Sequence, residues 1–136
     1  MVGRIHSMFR RVTAAGTSSL AAVACARTVV HNFAGPDIAA EVKKADGKPV
    51  VVDCYADWCG PCIQFSPKYD AMSEKQPDVH FVKMNVEEFE DVAAEYGLRS
   101  VPTFLVFDKD GKKQAVIEGA AEHKIQAAID AVVAAK

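Results

Sequence analysis

From residue 28 onward, short apolar runs alternate with stretches in which apolar residues recur every three or four positions. The runs suit strands, and the wider spacing suits the buried stripe of a helix. Thr28 to Phe33 is β-branched and predicts a first strand. Gly35-Pro36-Asp37 then opens a helix with Ile38, Val42 and Ala45 along one side, and Asp46-Gly47 ends it. Pro49 to Tyr55 is almost continuously apolar, as at the centre of a sheet covered on both faces. Ile63 to Lys75 predicts a second helix, with Phe65, Tyr69 and Met72 at i, i+4 and i+7 and a kink expected at Pro67. Val79 to Asn85 alternates as a strand, and Glu88 to Tyr96 predicts a short helix closed by Gly97. Thr103 to Phe107 and Gln114 to Glu118 flank Asp108-Lys109-Asp110-Gly111, the pattern of a hairpin. After Gly119 a last helix carries Ile125, Ile129 and Val132. The order βαβαβαββα predicts an α/β domain, a mixed sheet with helices on both faces.

Composition adds an asymmetry. Residues 1–33 hold four arginines (Arg4, Arg10, Arg11 and Arg27) and no acidic residue, whereas the rest hold 12 basic and 18 acidic residues. The body therefore carries a net charge of −6. No basic stripe remains to neutralise phosphates, which argues against a nucleic-acid partner. No apolar run is long enough to cross a membrane as a helix. Residues 1–27, rich in Arg, Ser, Thr and Ala, have the composition of a mitochondrial transit peptide, leaving residues 28–136 as the folded domain. Ile5, Phe9 and Val12 would line one face of a basic helix there. The expected address is the mitochondrial matrix, reached without a membrane anchor. A secretory signal ending near Ala24-Cys25-Ala26 and an unaddressed cytoplasmic extension are the alternatives.

The candidate chemistry sits at Trp58-Cys59-Gly60-Pro61-Cys62, between a predicted strand and a predicted helix. Cysteines two residues apart can close and open a disulfide without moving the fold. A helix N-terminus offers unpaired N–H groups and partial positive charge, which favour thiolate over thiol. Cys59, at the exposed end of the junction, is the expected nucleophile. Cys62, inside the first helical turn, is expected to be more buried and to resolve the mixed disulfide. Its proton needs an acceptor. Asp53, in a strand otherwise apolar from Val50 to Val52, is expected to have a raised pKa and to serve as that base. A structural zinc half-site is the bland reading of the cysteines, but no second ligand pair of suitable spacing exists, so no metal is expected. Neither is a bound nucleotide, since there is no G-x-G-x-x-G.

Val51-Val52-Asp53, the Trp58 to Cys62 motif, Pro67, the segment Gly97 to Thr103 and Gly119 together resemble the thioredoxin family, over about Thr28 to Lys136. The resemblance implies a thioredoxin fold, with a five-stranded mixed sheet flanked by four helices. It implies a protein-disulfide reductase with no bound cofactor, a monomer that receives electrons from NADPH through thioredoxin reductase and passes them to peroxiredoxin-like clients. It places Lys83 beside Asp53, and it makes Pro102 a cis-proline that leaves the Val101 backbone free to bond an extended peptide. Trp58, Gly60, Pro61, Val101, Pro102 and Gly119 would then form the substrate-binding rim, with Trp58 shielding the thiols and Gly119 keeping the groove open. The bland readings are packing for Trp58, a trans strand-entry proline for Pro102, a helix-entry glycine for Gly119 and a surface-directed amine for Lys83.

Three positions depart from the family's common pattern. Cys54 replaces an aromatic, Tyr55 stands where Trp or a small residue is usual, and Ile63 replaces a basic residue and enlarges the apolar rim. Cys54 points away from Asp53 by strand alternation and reads as an inert core thiol. Glu87, Glu88, Glu90 and Asp91 read as a solvated helix start, and His80 and His123 have no role visible in the sequence. Gly60-Pro61 resembles reducing members; a histidine at the Pro61 position would favour oxidation. Two other classes stay open: a redox-independent binding or chaperone module, and an exported thiol oxidant or isomerase.

Overall fold

The computed structural model describes residues 30–135. The presequence reading, with Cys25, falls outside those residues, as do Thr28 and Val29 of the expected first strand. Strand β1 is Val30–Asn32, helix α1 Ile38–Ala45, β2 Val50–Tyr55, α2 Gly60–Lys75 and β3 His80–Asn85. Helix α3 (Glu90–Glu95), β4 (Thr103–Phe107), β5 (Lys113–Glu118) and α4 (Glu122–Ala134) follow. The strands form one sheet in the order β1-β3-β2-β4-β5. β1 and β2 run parallel to β3, while β4 is antiparallel to both β2 and β5.

Alternation along β2 splits the core in two. Val51 joins Phe65, Tyr69 and Met72 of α2 and Ile125, Ile129 and Val132 of α4. Val50, Val52 and Cys54 face the other way, toward Ile38 and Ala45 of α1 and Val92 of α3. Each face thus packs against two helices. Helix α2 begins at Gly60, earlier than its apolar spacing implied, because Pro61 fits a first turn and Cys59 caps it. The helix continues through Pro67. Helix α3 is shorter than expected. The N–H groups of Glu88 and Phe89 bond to the Asn85 carbonyl, and this turn takes up the residues before Glu90. At its far end Gly97 adopts φ +63°, and Leu98 N–H reaches back to the Ala93 carbonyl at 3.0 Å. That closure needs a left-handed residue, which glycine supplies without a Cβ penalty. The hairpin turn is held by Asp108, whose carboxylate accepts from the backbone of Asp110 and Lys112, each at 2.9 Å.

Candidate active site

The carboxyl end of β2 and the first turn of α2 place the two cysteines against each other. Cys59 and Cys62 are joined by a disulfide, with Cα atoms 5.3 Å apart. Cys59 is the N-cap of α2, and its sulfur accepts a hydrogen bond from Cys62 N–H at 3.2 Å. The expected difference in exposure is not found: Cys59 is 4% exposed and Cys62 5%. The sulfurs turn inward toward each other, and Ala56, Tyr55, Val86 and Val101 pack around them. Position, not burial, separates the pair. Cys59 caps the helix, whereas Cys62 lines a pocket that opens to solvent past Asp57 and Ile63.

That cavity measures about 310 Å³, and Asp53, Cys62, Ser66 and Lys83 are among the residues that line it. Asp53 is 2% exposed. Burial lifts its pKa from the ordinary 3.8 to about 7; the Lys83 ammonium pulls it down, and Asp70 pushes it up. Its Oδ1 has no hydrogen-bond partner among the described residues. Lys83 lies opposite Asp53 in the parallel register of β2 and β3. Its ammonium donates to Ser66 Oγ at 3.1 Å and stands 5.0 Å from the centre of the Tyr55 ring. Cys54, next along the strand, is wholly buried on the opposite face, and its thiol is pushed far up by burial.

The outer rim carries contacts that the sequence did not announce. Trp58 is 69% exposed. Its indole N–H donates to Glu87 at 2.8 Å, which gives one member of the acidic cluster a definite partner. An added Cβ at Gly119 would meet nothing within 4 Å, so the space beside it is open. Its φ of +92° is what calls for glycine, and its N–H holds the Pro102 carbonyl at 2.9 Å. The Val101–Pro102 bond is cis, as expected; Gly35–Pro36 is cis as well, which nothing in the sequence signalled. Gly60, Pro61 and Ile63 are exposed beside the disulfide. Trp58, Val86, Ala93, Leu98 and Val101 line a groove of about 400 Å³ on the α3 side, with Glu90 and Arg99 also on its walls. Ser66 and Glu87 are the site residues the sequence did not yield. Among the described residues no cluster of side chains suited to a metal is found.

A helix-capping cysteine disulfide above a buried, raised-pKa carboxyl defines a thiol–disulfide oxidoreductase. Comparison with known proteins agrees. The thioredoxin family model matches residues 29–131. A thioredoxin-2 from Pyricularia oryzae is 43% identical over 106 residues, which cover 78% of this chain and 61% of that protein. Spinach chloroplast thioredoxin f, in its short form, superposes with a TM-score of 0.72 at 34% identity, covering 80% of this chain and 97% of that one. Thioredoxin f2, solved in complex with ferredoxin:thioredoxin reductase, gives a TM-score of 0.69 at 36% identity, covering 78% and 96%. The chain belongs to the thioredoxin family. Its chemistry is that family's thiol–disulfide exchange, with disulfide reduction as the reaction.

Proposed function

We propose that the chain reduces client disulfides by an ordered exchange in which Cys59 attacks and Cys62 resolves. The observation that carries this reading is the division of the pair: Cys59 caps α2, while Cys62 shares a cavity with Asp53. In the reduced protein the Cys59 thiolate, favoured by the positive end of the helix, attacks one client sulfur. The other client sulfur leaves with the electron pair, and a Cys59–client disulfide forms. Cys62 then loses its proton to Asp53, directly or through water, and attacks Cys59. The client sulfur bonded to Cys59 departs as the second thiolate, and Cys59–Cys62 is restored as the disulfide. The chain has given up two electrons. Trp58, Gly60, Pro61, Val101, Pro102 and Gly119 form the face that meets an extended client segment. Lys83 tunes the Asp53 carboxyl from the neighbouring strand.

The electrons return from NADPH through a thioredoxin reductase, and the clients include peroxiredoxin-like disulfides. The complex of thioredoxin f2 with ferredoxin:thioredoxin reductase supports a reductase partner, and NADPH and the clients rest on the family resemblance alone. The chain works as a monomer, in the mitochondrial matrix, after removal of residues 1–27; the composition of that segment supports the address. Insulin reduction tests the exchange. Cys59→Ser should abolish it, and Cys62→Ser should accumulate a mixed disulfide. Equal turnover by wild type and Cys59→Ser would overturn the assignment and favour a redox-independent binding role. A reporter fused to residues 1–33 tests the address: diffuse cytosolic signal refutes it.

A further inference from the structure

The pocket lined by Cys62 holds a carboxyl and an ammonium that do not meet. Asp53 and Lys83 are register partners on adjacent strands, yet their side chains form no ion pair among the described residues. Asp53 Oδ1 is buried without a hydrogen-bond partner, so an ammonium that reached it would find an acceptor waiting. Lysine has a long, flexible stem and a compact charge, well able to seek such an acceptor. It is held elsewhere. The Ser66 hydroxyl oxygen on α2 accepts a hydrogen bond from the ammonium at 3.1 Å, and the face of Tyr55 on β2 attracts the charge from 5.0 Å. Both restraints come from side chains that line the same cavity as Asp53 and Cys62.

We propose that Ser66 and Tyr55 are positioning residues that hold the Lys83 ammonium beside the Asp53 carboxyl and off it. A direct ion pair would keep the carboxylate ionised and make it a poor acceptor for the Cys62 proton. A restrained lysine lets burial dominate, so the carboxyl titrates near neutrality, where proton transfer in both directions is efficient. The other groups near Asp53 do not supply this control. Asp70 on α2 acts in the direction opposite to Lys83, the Tyr69 hydroxyl on α2 donates to the Val51 and Val82 carbonyls, Cys54 lies on the other face of β2, Asp57 at the cavity wall is acidic, and Phe104, the partner of Asp53 on β4, is apolar. Ser66 lies one turn past Cys62, so the helix that presents the resolving thiol also sets the lysine.

The inference rests on the proposed role of Asp53, and its test does not. In the oxidised protein neither active-site cysteine titrates, so the Asp53 carboxyl carbon can be followed by NMR against pH without interference. Ser66→Ala should move the midpoint down by about 1 pH unit, as the freed ammonium settles on Asp53. Ser66→Thr, which keeps the hydroxyl, should restore the wild-type value. Lys83→Met should raise the midpoint, and adding Ser66→Ala to it should change nothing more. Tyr55→Leu should lower the midpoint and Tyr55→Phe should not. An unchanged or higher midpoint in Ser66→Ala overturns the proposal, and an unchanged one in Tyr55→Leu removes the ring from it. A titration that behaves as stated, with client release indifferent to Asp53→Asn, would refute the base and leave the positioning intact.

Discussion

Two carboxylates in this molecule are shut off from solvent almost equally, Asp53 at 2% exposure and Glu41 at 1%, and they live in opposite surroundings. Glu41, on α1, has a partner for each oxygen. His80 Nε2 lies 3.2 Å from Oε1, and the Lys44 ammonium donates to Oε2 at 3.1 Å. His31 stacks on His80 with ring centres 4.4 Å apart. Asp53, on β2, leaves Oδ1 without a partner, and its nearest cation is committed to Ser66. One carboxylate ties α1 to the sheet; the other keeps an unpartnered oxygen and a pKa raised to about 7, as the proposed proton acceptor requires. Burial alone does not make a carboxyl reactive. What matters is whether its ionised form is satisfied.

The contrast should show first in the pH dependence of stability. The pKa of Asp53 is raised on folding, so folding favours its neutral acid. That contribution is complete in acid, below the ordinary 3.8, and is lost as pH rises through about 7. Asp53→Asn should remove this decline, up to about 4 kcal/mol between pH 4 and pH 8 in urea unfolding. The same variant should slow client release about 100-fold while the first attack keeps its rate. Parallel urea curves at both pH values, or unaltered release, would erase the distinction drawn for Asp53. A smaller effect is expected on the other side. His80→Leu leaves Glu41 with Lys44 alone and should cost about 2 kcal/mol, with insulin reduction intact. The pKa of His80 is lowered, by burial first and against the pull of its Glu41 bond, so its contribution to stability is lost as pH falls below the ordinary 6.5. His80→Leu should therefore flatten the acid side of the profile, the reverse of Asp53→Asn. Least of all, Lys44→Met should cost under about 0.5 kcal/mol, because the lysine is half exposed and pairs one turn away. A cost as large as that of His80→Leu would show that Lys44, not His80, satisfies the glutamate.

The element order was readable because each strand and helix carries its own period. Local periodicity reports which face a residue takes, and burial then follows from the layers. The cysteine pair was readable for a similar reason: its chemistry lies within four consecutive residues. Asp53 could be inferred to be buried from the apolar residues before it, and its raised pKa followed. Helix ends were less legible. Gly60 starts α2 because a sulfur caps it, a bond no hydrophobic pattern announces.

The sequence by itself determined the strand and helix order, the redox pair, the buried acid and the inert Cys54, because each is fixed by neighbours along the chain. Tertiary structure alone decided who touches whom. The Lys83–Ser66 bond joins residues 17 apart, Trp58–Glu87 joins residues 29 apart, and Glu41–His80 joins residues 39 apart. Crossover connections between parallel strands bring these together, and no local pattern encodes a distance across a crossover. The equal burial of Cys59 and Cys62 is of the same kind, set by Val86 and Val101 arriving from other loops. Two acids buried almost equally thus differ in their partners, which only the fold supplies: Glu41 has one for each oxygen, and Asp53 Oδ1 has none among the described residues.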